Sequence, residues 1–452
     1  MLSHPRRESA LLTDLYELTM AQAYFRSGMQ RTAVFELFAR RLPPQRRFLI
    51  AAGLEQLVEY LEEFRFTPED IDFLAGTHLF GRDFLDYLVH VRFTGSVHAM
   101  SEGTPFFENE PIVRITAPIL EAQLIESRLM NIVHFQTLIA SKAIRCVIAA
   151  RGKRLVDFGM RRAHGAEAAL LAARAAYLAG FDSTATVEAG RRFGMPLTGT
   201  MAHSFIEAHD KEVDGMRNFI TSVGRRTSVL IDTYDTERAT HRLLGLCREL
   251  TAAGEERGSV GAVRIDSGDL AAQAAAVRRI LDEAGRGDIE IVLSGGLNEH
   301  EIEHLLDRET PVDSFGVGTS LDVSSDAPAL DMAYKLEEYD NRPRRKRSPG
   351  KRTWPGAKQV FRQSDESGIV TRDYLALATE RLSGVPLLEA VVENGKRIVA
   401  LPTLAEARKS CRQRVAELPP FLLSLRDSQE TFDVRASVDL QALVTLMDHE
   451  GD

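Results

Sequence analysis

GAVRIDSGDLAAQAAAVRRILDEAG (261–285), IEIVLSGGLN (289–298) with EHEIEHLL (299–306) behind it, and VDSFGVGTSL (312–321) decide the fold. In the first two, a short apolar run ends in Asp, Ser or Gly and a helical segment follows; the third closes the series. The same rhythm stands upstream. LVDFGMRRAHG (155–165) precedes an Ala-rich helix, and SVLIDTYDTERA (228–239) precedes HRLLGLCREL (241–250). Strand and helix in alternation mean parallel strands joined by right-handed crossovers. Roughly six or seven such units predict a closed or nearly closed barrel, with a doubly wound open sheet as the alternative. In either case the polar residues that follow the strands gather on one face, where such sheets bind ligands.

Outward from this centre, the chain divides at 1–117, 118–150, 151–335 and 336–452. The first stretch reads as mixed α+β. Ser9 or Thr13 is the expected cap of a first helix, Thr32–Phe38 a strand and Gly53–Phe64 a helix, with further strands at Val91–Met100 and Ile112–Ile115. The segment 118–150 reads as one long connecting helix. DNRPRRKRSPGKRTWPGAK (340–358) is too rich in Pro, Gly and charge for a packed helix and predicts an exposed loop. Beyond it, Gln359–Phe361 and Leu387–Val392 read as strands, Leu404–Glu417 as an amphipathic helix, and the final dozen residues as a helix from Ser437.

Bulk composition narrows the function. The 452 residues carry 56 basic and 65 acidic side chains, a formal charge of -9, so the chain lacks the general basic excess of a nucleic-acid binder. Cys146, Cys247 and Cys411 lie far apart with no metal-type or CxxC spacing, which argues against a zinc site or a disulfide framework and for a reducing, cytoplasmic setting. The N-terminal segment has no apolar leader pattern, and the most apolar later segment, AALLAARAAYLAG (168–180), is broken by Arg174, so no membrane span is expected.

Four groups of residues carry potential chemistry. The glycine turns Ser294–Gly295–Gly296 and Gly316–Val317–Gly318–Thr319 follow what should be neighbouring strands. Glycine allows backbone N–H groups to approach an anion, and late βα turns of barrels often hold phosphate. Asp232 and Asp235, and Asp266 and Asp269, form two strand-end pairs, equally suited to Mg²⁺, to ribose hydroxyls or to helix capping. Arg264 shares a strand face with Asp266. His203, on the turn after an expected strand at Pro196–Gly199, suits a base or a phosphoryl acceptor. In DFGMRR (157–162), Phe158 suits ring stacking, and Arg161 and Arg162 suit an anion. The letters DFG recur in kinases, but the other kinase motifs are missing, so a kinase is rejected.

Taken in order, TDLYELTM (13–20), RFTG (92–95), EGTPFFENEP (102–111), DFGMRRAHG (157–165), GTMAHSF (199–205), RIDSGDL (264–270), SGGLN (294–298), GVGTSL (316–321) and KRSPGKRTWPGAKQVFR (346–362) resemble the nicotinate phosphoribosyltransferase family. The resemblance implies an irregular (β/α) barrel plus an α+β domain built from both chain ends, acting as a homodimer with shared active sites. It implies a reaction of nicotinate, 5-phosphoribosyl 1-pyrophosphate, ATP and water to give nicotinate mononucleotide, pyrophosphate, ADP and phosphate, in NAD biosynthesis. It also implies roles. Tyr16 of a partner subunit and Phe158 would sandwich the pyridine, and Arg161, Asp182, Thr200 and Arg264 would bind substrate. His203 would be phosphorylated by ATP, and Asp232 and Asp266 would lie near Mg²⁺ and ribose. Ser294, Gly295, Gly296, Gly316, Gly318 and Thr319 would cradle the 5′-phosphate, with Lys346 near the pyrophosphate. The alternatives are transfer to nicotinamide or quinolinate, a barrel lyase, for which no Schiff-base lysine stands at a strand end, and a non-catalytic phosphate sensor of the same fold.

Overall fold

The computed structural model describes residues 9–223, 227–254, 260–426 and 430–449, so the start of the N-terminal stretch and the last three residues lie outside it. The chain forms two compact units, Met1–Ser141 with Ala329–Asp452, and Lys142–Pro328.

The first unit is built from both chain ends. Its largest sheet has seven strands in the order 342–343, 332–339, 32–39, 111–118, 96–100, 388–393 and 396–397, and every pair is antiparallel. A four-stranded sheet uses 385–386, 358–364, 370–377 and 434–436. The strand Thr32–Ala39 is central and buried on both faces. Ala33, Phe35, Leu37 and Ala39 enter the apolar core. Glu36 points to the other face with 0% exposure, in register between Arg114 and Lys335 on its neighbours. The Lys358 N–H donates to Glu36 (2.7 Å), and the Lys358 ammonium lies 2.9 Å from the same carboxylate and 4.0 Å from Glu337.

Several expectations are corrected here. The first helix, Leu15–Arg26, starts after Asp14 and not after Ser9 or Thr13; Asp14 accepts a hydrogen bond from Ser127 instead of capping with its side chain. The strand expected from Val91 begins at Ser96, because the Glu121 carboxylate takes the amide and hydroxyl of Thr94 and withholds that segment from the ladder. The connecting segment is two helices, Ile119–Leu124 and Glu126–Ala149, and the division between units falls inside the second. A boundary at 335 would cut the strand Met332–Tyr339. The basic loop is partly ordered: Arg342–Pro343 pairs back on that strand through a turn at Asp340 and Asn341, and Arg345 is held by Asp448 (3.0 Å). Glu126–Ala149 is long and apolar enough to cross a membrane, yet 78% of its most apolar window is buried, as in a core helix.

The second unit carries six parallel strands: β1 (Arg154–Asp157), β2 (Ser183–Thr184), β3 (Thr227–Leu230), β4 (Val260–Ile265), β5 (Glu290–Leu293) and β6 (Ser314–Val317). Their order is β2-β1-β6-β5-β4-β3. The two edges are linked by the segment 196–201. Leu197 bridges Thr184 in parallel, the Thr198 N–H donates to the Thr184 carbonyl (3.1 Å), and the Thr200 hydroxyl donates to the Ser228 carbonyl of β3 (3.1 Å). The curled sheet thus becomes an irregular barrel, as the strand–helix rhythm predicts.

Glu337 is a buried liability in the first unit. Burial pushes its carboxyl up to about 8, with Lys358 opposing and Glu36 adding to the rise. A folded-state value above the unfolded one adds stability that is full below the ordinary carboxylate range and lost as pH rises through about 8. Glu337→Gln is expected to flatten this decline, whose limit is about 1.4 kcal/mol per pH unit, and to melt higher than the parent at pH 8. Parallel denaturant titrations across pH 5 to 9 measure it; identical slopes would contradict the assignment.

Candidate active site

Side chains alternate along a strand, so residues two apart share a face. On β1, β4, β5 and β6 the even-numbered positions face the barrel interior: Val156, Ala262, Val292 and Ser314 line a cavity of about 430 Å³. The same parity brings Arg264 and Gly316, near the ends of β4 and β6, together with Phe158, Asp266, Ser294 and Gly318, just past strand ends, at the carboxyl-end mouth.

Arg264 is the centre of this cluster. Its Nε–H donates to Ser294 Oγ (2.7 Å), Nη2 to Asp266 Oδ1 (2.6 Å) and Nη1 to the Met201 carbonyl (3.3 Å). The Ser294 hydroxyl donates to the same Asp266 oxygen (2.6 Å). The guanidinium carbon lies 5.5 Å from the centroid of the Phe158 ring, within cation–π range. A guanidinium has five N–H groups, so one remains on each terminal nitrogen, the fork that suits a carboxylate.

Phe158 is fixed by its N–H to the Val317 carbonyl (2.8 Å), and its ring occupies the space above Gly316, where a Cβ would lie 2.4 Å from it. The preceding Asp157 faces away from the mouth and accepts from the Gly159 N–H (2.8 Å) and the Thr184 hydroxyl (2.7 Å). Asp322 packs behind this turn; burial and then the Asp157 charge push its carboxyl up to about 9.

The two aspartate pairs divide their labour. Asp235 and Asp269 are helix caps, accepting from the N–H groups of Arg238 and Ala272. Asp232 and Asp266 stay at the mouth. Asp232 Oδ2 accepts from the Asp266 N–H (2.8 Å) and the Ser267 hydroxyl (2.7 Å), while Oδ1 is buried and lacks a protein partner. That spare oxygen fits a cation or a ligand hydroxyl. Among the described residues no group of three His, Cys, Asp or Glu is arranged for a metal, so any ion there needs oxygens from substrate or water, as Mg²⁺ usually does.

His203 opens the short helix His203–Glu207. Its Nδ1 is 3.3 Å from Thr233 Oγ1, and its Nε2 is 3.9 Å from Asp266 Oδ2; the side chain is 38% exposed, open to a reactant.

In the turns after β5 and β6, the N–H groups of Gly295, Gly296, Gly318 and Thr319 have no protein acceptor among the described residues. Gly295 sits at φ +92, and a Cβ there would fall 1.9 Å from the Asp266 carbonyl oxygen, so only glycine fits. The Ser320 hydroxyl ties the second turn to the first by donating to the Leu297 carbonyl (2.8 Å). The helix after the second turn, Thr319–Asp322, is a single turn, so local N–H groups rather than a helix dipole define this pocket.

The other expected residues differ in their settings. Ser294 spends both donors inside the protein, its N–H on the Ile265 carbonyl and its hydroxyl on Asp266, so it organises Arg264 instead of donating to an anion. Asp182, just before β2, accepts from the Leu155 N–H (2.9 Å) and lines the same cavity as Phe158, Thr200 and Arg264. Arg161 and Arg162 lie in the 3-10 turn Met160–Arg162, exposed and without an ion-pair partner among the described residues; the following helix begins at Ala166, with Glu167 in its first turn. Tyr16 and Lys346 belong to the other unit, Tyr16 half exposed and Lys346 exposed. Sequence reasoning missed Thr233 and Ser320. Both hydroxyls lie inside motifs already singled out, yet nothing local marks their distant partners.

Comparison with known proteins gives one consistent picture. Residues 11–134 match the nicotinate phosphoribosyltransferase N-terminal domain, and residues 153–342 match the nicotinate phosphoribosyltransferase family. The chain is 49% identical to nicotinate phosphoribosyltransferase pncB2 of Mycobacterium tuberculosis over 95% of its own length and 91% of that protein. It is 31% identical to the human nicotinate phosphoribosyltransferase over 96% of each chain. The crystal structure of the human nicotinic acid phosphoribosyltransferase superposes with a TM-score of 0.86 at 29% identity, covering 96% of this chain and 99% of that one.

Gly295→Ala is expected to strain the first turn by at least about 1 kcal/mol from the left-handed backbone alone, with the carbonyl collision in addition. It should lower the melting temperature and remove the stabilisation that added inorganic phosphate gives the parent chain. Thermal melts with and without phosphate test this, and an alanine variant that phosphate still stabilises would contradict it.

Proposed function

This chain belongs to the nicotinate phosphoribosyltransferase family, and from that premise we propose that it joins nicotinate to 5-phosphoribosyl 1-pyrophosphate at the mouth of its barrel, with ATP hydrolysis coupled through His203. One observation carries the reading: the two glycine turns with open N–H groups share a mouth with the Phe158 ring, the Arg264 fork and an accessible imidazole.

The chemistry is displacement at C1 of the ribose. The pyridine nitrogen supplies the electron pair of the new C1–N bond, and the C1–O bond breaks with its pair leaving on pyrophosphate. The transition state resembles an oxocarbenium ion, so no protein nucleophile is required. The protein's task is alignment and charge. The Gly295–Gly296 and Gly318–Thr319 N–H groups hold the 5′-phosphate, and Phe158 gives the pyridine a flat platform. Thr200, at the barrel's closing segment, borders the same cavity. Asp232, with its spare Oδ1, and Asp266 are the residues that would hold Mg²⁺, which would supply positive charge for the departing pyrophosphate. Arg161, an exposed cation three residues after Phe158, is available to the same anions, and the family reading adds Lys346 for the pyrophosphate.

Acid over amide is chosen by the two N–H groups that Arg264 keeps free. Nicotinate satisfies both; nicotinamide leaves a cation facing an amide, at a cost of roughly 2–5 kcal/mol. Quinolinate carries a second carboxylate that Arg264 alone does not answer. Coupling to ATP requires a phosphoryl group to pass from ATP to an imidazole nitrogen, with ADP leaving, and later to water. A proton on Nδ1 donated to Thr233 leaves the Nε2 lone pair for that attack. The phosphorylated and free forms then differ in affinity for substrates and product.

The same reading makes the enzyme a homodimer in which Tyr16 of the partner subunit covers the pyridine. Leu12, Leu15 and Tyr16 are all about half exposed, an apolar surface suited to a partner. A cytoplasmic setting accords with three cysteines that are all free and buried.

Two outcomes test the proposal. Given labelled nicotinate, phosphoribosyl pyrophosphate and Mg²⁺, the chain should form nicotinate mononucleotide, faster with ATP; His203→Ala should lose the ATP stimulation and keep basal transfer. No mononucleotide from the parent chain would instead favour a non-catalytic phosphate sensor. Arg264→Ala should raise the nicotinate KM and lower kcat/KM by roughly a hundredfold, and an unchanged nicotinate KM would remove Arg264 from acid recognition.

A further inference from the structure

We propose that Lys142 is a positioning residue for the sugar-phosphate site, setting the spacing of the two glycine turns through one buried ammonium. The proposal rests on the reading of those turns as the 5′-phosphate cradle.

Lys142 lies on the helix Glu126–Ala149 and is 1% exposed. Its ammonium is 2.5 Å from Glu299 Oε2 and 3.0 Å from Asp326 Oδ1. The two carboxylates come from different places. Glu299 is the first residue of the helix Glu299–Asp307, directly behind the turn 294–298. Asp326 follows Thr319–Asp322, the short helix behind the turn 316–319. A single nitrogen therefore joins the segment behind one turn to the segment behind the other. Arg145, one helical turn along from Lys142, donates its Nε–H to the second oxygen of Glu299 (2.8 Å). Burial disfavours an ionised Glu299, and Lys142 and Arg145 together outweigh it, so its carboxyl stays below the ordinary range.

The chemistry of the cradle explains why such a bridge is needed. Its donors are backbone N–H groups, which have no rotamers and cannot swing toward a phosphate. Two turns from separate strands grip one anion only if their separation is held from behind. The β5–β6 ladder stops at Leu293 and Phe315, and past it the Ser320 hydroxyl on the Leu297 carbonyl ties one turn to the other. The Lys142 bridge is a further tie, and deleting its ammonium would leave the buried Asp326 and Glu299 carboxylates with a charge uncompensated. A lysine suits the place: its ammonium is compact and has three donors in a tetrahedral fan, so it serves two carboxylates at once, whereas the flat fork of arginine matches one.

The test uses the full-length chain, with Lys142→Met to delete the bridge and Asp326→Asn to weaken one arm while leaving Glu299 with Lys142 and Arg145. Ribose 5-phosphate binding is measured calorimetrically, and KM and kcat are measured for each substrate. Both variants should weaken ribose 5-phosphate binding, Lys142→Met by roughly tenfold or more. They should raise the KM for phosphoribosyl pyrophosphate while the nicotinate KM and the kcat stay near the parent values. Variants that bind ribose 5-phosphate like the parent, or whose nicotinate KM rises in step, overturn the role of Lys142. If Lys142→Met does not fold, Asp326→Asn decides alone by the same readings. A parent chain that fails to bind ribose 5-phosphate overturns the cradle itself, an outcome distinct from equal binding by parent and variants.

Discussion

Arg264 cannot move without releasing Ser294, Asp266 and the Met201 carbonyl, and the rest of the mouth is arranged around that immobility. A guanidinium at the end of a barrel strand is a charge in poor contact with water; only 13% of its side chain is exposed. The surroundings compensate with one carboxylate, one hydroxyl, one carbonyl and the face of Phe158. Side-chain freedom is spent in folding, so little remains to be lost when a substrate arrives. The two N–H groups left over are aimed by the same bonds that hold the others.

The parallel barrel makes this economical. All strands point the same way, so the residues just past their carboxyl ends meet on one face whatever their separation in sequence. Asp232, Asp266, Ser294 and Gly318 come from four different strand ends. Asp232 braces Asp266 through its N–H, Asp266 braces Arg264, and Ser294 serves both. Gly316 gives the Phe158 ring its space, and Gly295 lets its turn pass against the Asp266 backbone. The aromatic slot and the anion turns are thus parts of one packed unit. A change that shifts one of these residues is felt at both.

Much of this was legible in the sequence because it is local. Apolar runs ending in Asp, Ser or Gly before helical segments revealed the strands, and even–odd alternation put Arg264 and Asp266 on one face. The same rule, applied past the strand ends, collects Phe158 and Ser294. Other features depend on partners distant in sequence. Closure of the barrel by 196–201 rests on two bonds to Thr184 and one to Ser228, and two or three residues of bridge leave no periodicity to read. Ser294 looked like a phosphate donor, since a serine beside glycines has that appearance; its two donors go instead to a carbonyl and a carboxylate that only the fold brings near. Asp235 and Asp269 could not be told from Asp232 and Asp266 until the helix starts were placed. Lys142 passed unremarked because a lysine in a long helix normally reaches water, and only burial shows that this one does not.

In the proposed function one mouth holds a sugar phosphate on backbone N–H groups, a pyridine ring on Phe158 and its carboxylate on Arg264. A crystal structure of the chain with nicotinate mononucleotide addresses it directly. The account predicts phosphate oxygens within hydrogen-bond distance of the Gly295–Gly296 and Gly318–Thr319 amides, the pyridine on the Phe158 ring, and its carboxylate on the Arg264 fork. A nucleotide bound with its phosphate away from those amides, or with its ring away from Phe158, would contradict it.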